Sequence, residues 1–212
     1  EEFCSTVFLF LKWRIVAVRE NMLTFFSTKL AFLIINKGGF SLEKEKIFTY
    51  SIELLISFMC STASIIIISS VCGSIIYSLI FILVFAGIRF FSGGYHAKTY
   101  LRCFILTNIV FVVVLIVSHF ERNYCSTLGL LILTWISMLL IVFLSPIQNR
   151  NHPLSRKRRT LNGVVSKLYA AIIMALIHLM VLTEYNSFLF YLICTSFIAA
   201  AIMMIIPLFR KE

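Results

Sequence analysis

His96 and Cys103 are the two side chains in this sequence whose types could do covalent chemistry together. A thiol attacks as its thiolate, and a nearby imidazole can take the proton and leave an ion pair behind. The two lie seven residues apart in the stretch FFSGGYHAKTYLRC, Phe90 to Cys103. On one straight helix they would share a face yet stand about 10.5 Å apart along the axis. A general base must come within about 3 Å of its proton, or work through one water. A dyad therefore requires the backbone between them to leave ideal helix, and Gly93-Gly94 permits a sharp turn where the stretch begins. Irregular backbone at membrane depth is tolerated where protein buries it or water reaches it. Cys103 falls where an apolar run starts. The N-terminus of a helix there would offer N–H groups and positive potential, which favour a thiolate and could hold an oxyanion. Arg102 and Lys98 would add to that field. By spacing alone, the same residues also fit an ordinary loop that does no chemistry.

The elements that must position this pair are membrane spans. Of 212 residues, 60% are apolar and 13% charged, against roughly 45–50% and 25% in soluble domains. The expected class is an all-α polytopic membrane protein with a single membrane domain. Ile47–Ile88 carries Glu53 as its sole charge and is long enough for two helices, with a turn at Ser69–Ser74. Six spans are expected, at about 47–69, 72–88, 103–120, 126–144, 166–183 and 188–209. Lys and Arg divide 18 to one between the two faces these spans define, Arg122 being the exception. Positive-inside bias then assigns both termini and the Gly-Gly-His loop to the cytoplasm.

Residues 1–46 precede the first span. Phe25, Phe26, Leu30, Leu33 and Ile34 recur at helical spacing beside Lys29 and Lys37, which predicts an amphipathic segment on the cytoplasmic leaflet. The run Val7–Leu11 is short and no small-residue cleavage site follows it, so the internal spans are expected to drive insertion.

The formal charge of +10 would suggest nucleic acid in a soluble protein. Here the cations flank apolar runs, so the expected partners are anionic lipid or an acidic peptide, and not nucleic acid. All nine acids are glutamates, which excludes aspartyl intramembrane proteases and aspartate-dependent phosphotransferases. No H-E-x-x-H motif occurs, and the six cysteines form no C-x-x-C pair, so neither a metal nor a cofactor is expected. Glu53 or Asn108 could orient His96, although each fits better as a buried polar residue bonded to a neighbouring helix. His178, deep in the fifth span, is read the same way.

Arg89, Gly93-Gly94-Tyr95-His96-Ala97 and Cys103 together resemble the signature of the AgrB family, the accessory gene regulator membrane peptidases. Ser145-Pro146, then Asn149, Asn151-His152-Pro153-Leu154-Ser155 and a basic run are also similar to that family, and the likeness extends from about Lys29 to Phe209. It implies that His96 is the catalytic base and Cys103 the nucleophile, supported by Arg89, Gly93 and Gly94. It further implies an AgrD-like propeptide, cut at the cytoplasmic face, whose acidic tail is released. The remainder closes into a thiolactone or lactone autoinducing peptide for quorum sensing in a Gram-positive bacterium. The same likeness admits a homodimer. Arg156, Lys157, Arg158 and Arg159 form a basic run on the same side, suited to holding the acidic tail. Family members begin not far upstream of the first span, near the position of Met22, so residues 1–21 read as an upstream extension. The competing class is a non-enzymatic transporter or signalling partner that uses the glycine pair as a hinge. Transporters often carry two related halves with paired broken helices, and no such internal symmetry is visible here. An acyltransferase using the thiol alone is a lesser alternative.

Overall fold

The computed structural model describes residues 24–38, 41, 45–93, 99–124, 126–147, 155–184 and 187–209. Gly94, His96 and the segment 1–21 lie outside them. The described residues form seven helices and no strand: α1 (residues 24–38), α2 (Glu45–Val71), α3 (Ile75–Ser92), α4 (Tyr100–Tyr124), α5 (Thr127–Leu144), α6 (Arg156–Leu182) and α7 (Phe188–Phe209). Helices α2 to α7 are each long and apolar enough to cross a bilayer, with mean hydropathy of 2.1 to 2.5 over their best windows. Their outer faces expose large apolar side chains such as Leu128, Phe143, Ile172 and Leu182. Water would not tolerate that much apolar surface and lipid does. The chain is an all-α polytopic membrane protein.

Several helices run past their apolar stretches. The clearest case is α6, which starts at Arg156, ten residues ahead of the apolar run that begins at Ser166. Hydropathy delimits only the part of a helix that sits in hydrocarbon, whereas backbone bonding continues until a cap stops it. Ser155 supplies that cap by accepting the Arg158 N–H. Likewise, α3 continues to Ser92 and α4 begins at Tyr100, which leaves a short connection carrying the Gly-Gly-Tyr-His motif.

The chain divides into two compact units, residues 1–63 with 97–106 and residues 64–96 with 107–212. In the first, α1 buries Ser27, Ala31 and Ile35, one stripe at four-residue spacing, and exposes Phe25, Phe26, Leu30, Phe32, Leu33 and Ile34. In the second, α7 is the central helix, with 67% of its window buried. Its buried Ser196, Ala200 and Ala201 are small enough to let neighbouring backbones approach. Phe81 stacks on Phe85 at 4.7 Å and tilts against Phe111 at 5.0 Å, and all three rings are fully buried. The turn between α2 and α3 spans Cys72–Ser74. Ser69 holds it from below, donating to the Ser74 carbonyl at 2.6 Å and accepting the Ser78 N–H at 3.0 Å.

Candidate functional site

Cys103 occupies the first turn of α4. Thr99 caps this helix, its hydroxyl accepting the Arg102 N–H at 3.3 Å. The Thr99 carbonyl accepts the N–H of Cys103 itself at 3.1 Å. The thiol is half-buried and sits at the helix N-terminus, where unpaired N–H groups create a positive potential. Its own amide is committed to the helix, because α4 begins one turn earlier than the apolar run suggests. What the position gives Cys103 is therefore helix potential and not an oxyanion bond from its own N–H.

Within the same unit, Glu53 of α2 is buried, and its Oε2 accepts a 2.8 Å bond from the Tyr100 hydroxyl. Tyr100 is the first residue of α4 and precedes Cys103 by one turn. Residues three apart on a helix are neighbours on its surface. Nothing in the local sequence marks Tyr100, since a tyrosine at a membrane boundary is ordinary.

The start of the Gly-Gly motif is built in the other unit. Gly93 ends α3 with φ +74° and ψ −152°, a backbone region open essentially to glycine alone. Its N–H bonds the Arg89 carbonyl at 3.1 Å. An isolated parallel bridge joins it to Ile147, whose N–H donates to the Ser92 carbonyl at 2.9 Å. A Cβ at position 93 would fall on the Ile147 carbonyl oxygen. Arg89 is half-buried, its guanidinium 5.7 Å from the centre of the Phe85 ring.

The segment that pairs with Gly93 is itself seated on α6. The Ser145 and Ser166 hydroxyls are hydrogen-bonded, and a Cβ on Gly163 would come within 2.9 Å of the Pro146 ring. Further along α6, the Tyr169 hydroxyl donates to the Leu83 carbonyl at 2.8 Å. Leu83 lies in a π-helical turn of α3, Ile82–Ala86. Directly after that turn, Gly87 leaves room for the phenol: a Cβ there would stand 2.7 Å from two Tyr169 atoms. One helix thus holds both ends of the Gly87–Gly93 piece that carries Arg89. Its first turn also presents Arg156, Lys157, Arg158 and Arg159, all exposed, about 6 to 10 Å along the axis from Gly163.

Gly87→Ala should lower stability by about 1–3 kcal/mol through overpacking against Tyr169. Thermal unfolding in detergent measures this, and in a Tyr169→Ala background the same Gly87→Ala substitution should cost little. An unchanged Tm for Gly87→Ala would show that the phenol moves aside at no cost. A mid-helix glycine costs about 1 kcal/mol relative to alanine, so Gly87 and Gly163 were detectable in sequence as positions needing a packing reason. Their partners were not.

Other polar candidates have structural partners. The Ser64 hydroxyl bonds Asn108 Oδ1 at 2.8 Å. His178 Nδ1 pairs with the Met174 carbonyl of its own helix at 2.8 Å, and its Nε2 accepts from Trp135 Nε1 at 3.3 Å, so both ring nitrogens are used and the second joins α5 to α6. Glu121 is buried near the far end of α4 and accepts a 2.6 Å bond from the Thr195 hydroxyl on α7. It lies about 27 Å along α4 from Cys103, at 1.5 Å per residue, and belongs to the packing of that end. Among the described residues, no group of three or more His, Cys or Glu could hold a metal ion.

Comparison with known proteins gives one result. The family model for accessory gene regulator B (AgrB) matches residues 27–206, which covers α2 to α6 in full and nearly all of α1 and α7. Neither the curated proteins nor the solved structures contain a match. The chain belongs to the accessory gene regulator B family of membrane proteins.

Proposed function

We propose that this protein is a cysteine endopeptidase and cyclase acting on a short accessory gene regulator propeptide. Membership of the family supports the general role in propeptide processing. The observation that carries the chemical reading is Cys103, half-buried in the first turn of an apolar helix, at the positive end of its dipole.

In this reading, the Cys103 thiolate attacks the carbonyl that joins the ring-forming segment to the acidic tail. His96 accepts the thiol proton and delivers it to the leaving amine. The tail departs and leaves an acyl-enzyme thioester. A cysteine or serine of the bound peptide then attacks that thioester, which regenerates the enzyme thiol and closes a thiolactone or lactone. Water must be kept from the acyl group between the two steps, and a site at the membrane boundary does this better than an open cleft. Arg89, Gly93 and Gly94 support the loop that carries His96. The reaction face is the cytoplasmic one, as the 18-to-one cation bias assigns it, and a homodimer is compatible with the scheme.

Arg156, Lys157, Arg158 and Arg159 hold the acidic tail. Cations in the first turn of a helix oppose its dipole, so helix stability does not account for them there. They also favour anionic lipid, and the two roles separate by experiment. Replacing all four by glutamine should raise KM for the propeptide on the order of tenfold or more while kcat stays within about twofold. An unchanged KM in correctly inserted protein would remove the docking role.

The test of the whole reading is co-expression with a propeptide, to be sought in a neighbouring short reading frame, followed by mass measurement of the products. Released tail and a peptide lighter than the cut linear form by one water are expected. A cut linear peptide alone would leave a protease without the cyclising step.

A further inference from the structure

Glu53 is a buried carboxyl in a membrane span, about 12 Å along α2 from its start. A polar group of this kind is costly to hold away from water unless it is bonded, and an apolar side chain would pack there at less cost. Its partner is Tyr100, through a 2.8 Å bond to the phenol. Many buried polar pairs merely join helices, as Glu121 and Thr195 do at the other end of α4. The Glu53 pair differs in where it grips. It holds the first residue of α4, one turn before Cys103, at a helix end where backbone bonding is sparsest and fraying is easiest.

We propose that Glu53 and Tyr100 are positioning residues for the reaction at Cys103: the carboxyl holds the phenol, the phenol holds the first turn of α4, and that turn aims the sulfur. This rests on the acyl-enzyme reading given above. Glu53 acts through a hydrogen bond it accepts, and its charge is not required. Misplacing a nucleophile by about 1 Å costs on the order of a hundredfold in rate, so a loosened first turn is felt in the chemical step and not in substrate binding.

The test uses the full-length protein in membranes with its propeptide, following tail release by mass. Tyr100→Phe and Glu53→Ala should each lower kcat about tenfold or more with KM held within about twofold. Glu53→Gln keeps an oxygen that accepts from the Tyr100 hydroxyl and should retain kcat within about threefold of the parent. The double variant Tyr100→Phe/Glu53→Ala should be no slower than the worse single one, since both remove the same bond. A merely structural pair would lower the amount of inserted protein and leave kcat per molecule unchanged, which would overturn the proposal. So would a Glu53→Gln variant as slow as Glu53→Ala, because charge would then be the active property. If Glu53→Ala fails to insert, Tyr100→Phe, which deletes a single oxygen, decides the matter. Cys103→Ala run alongside keeps the two readings apart: residual tail release there defeats the acyl-enzyme reading itself, whereas a silent Cys103→Ala beside a fully active Tyr100→Phe defeats the positioning role alone.

Discussion

Cys103→Ala should leave the propeptide intact, with neither acidic tail nor ring detectable. A nucleophile cannot be partly replaced, because both bonds exchanged in the proposed reaction pass through its sulfur: the amide that breaks and the thioester that hands the acyl group on. Loss of the attacking group in enzymes of this kind costs at least about 10⁴-fold, to the level left by binding alone. No other described thiol is suited to take over. Cys194 lies fully buried in α7, where a substrate carbonyl does not reach it. Cys60 and Cys72 are exposed, but neither lies at the start of a helix: Cys60 is inside α2 and Cys72 in the turn after it. Cys103→Ser should bind propeptide and turn it over far more slowly, since a hydroxyl is the weaker nucleophile. Mass measurement of co-expressed propeptide is sufficient, and tail release from Cys103→Ala would mean that the attacking atom lies elsewhere.

Gly93→Ala should be damaging too, for a reason that involves no reacting group. At φ +74° and ψ −152° an L-residue is strained by about 1–3 kcal/mol, and the added methyl meets the Ile147 carbonyl oxygen. The chain can relieve this only by abandoning the bridge to Ile147 and leaving α3 in another direction. His96 follows three residues later, so the proposed base moves with the turn. Tail release should fall on the order of a hundredfold, the scale of a misplacement of about 1 Å. Ile147→Ala is the informative control, because its part in the bridge is made by backbone atoms, and it should retain most activity. Wild-type turnover by Gly93→Ala would show that the direction of this turn does not govern the reaction.

Much of this was legible in the chain itself. Six apolar runs announce six spans because hydrocarbon thickness imposes a length, and that constraint acts on composition alone. The Gly-Gly motif is legible too: paired glycines beside a histidine mark a backbone that leaves the helix, and Gly93 does so with a positive φ. The true start of α6 was not, because Arg156 to Arg159 read as a loop in hydropathy while Ser155 caps a helix ahead of them. Nor could spacing give Glu53 its partner. It is a glutamate in an apolar run, and only the fold sets a tyrosine one turn from Cys103 against it, as it sets Thr195 against Glu121.

By itself, the sequence determined the class of the molecule, the number of its spans, the family, and the short list of residues able to do chemistry. Those properties follow from local composition and from a motif written in consecutive residues. Tertiary structure alone decided that α6 seats both Gly87 and the segment pairing with Gly93, and that Glu53 reaches the first turn of α4. Contacts between residues dozens of positions apart depend on how helices pack, and packing is set by the complementary shapes of two surfaces, which neither strand of sequence carries alone.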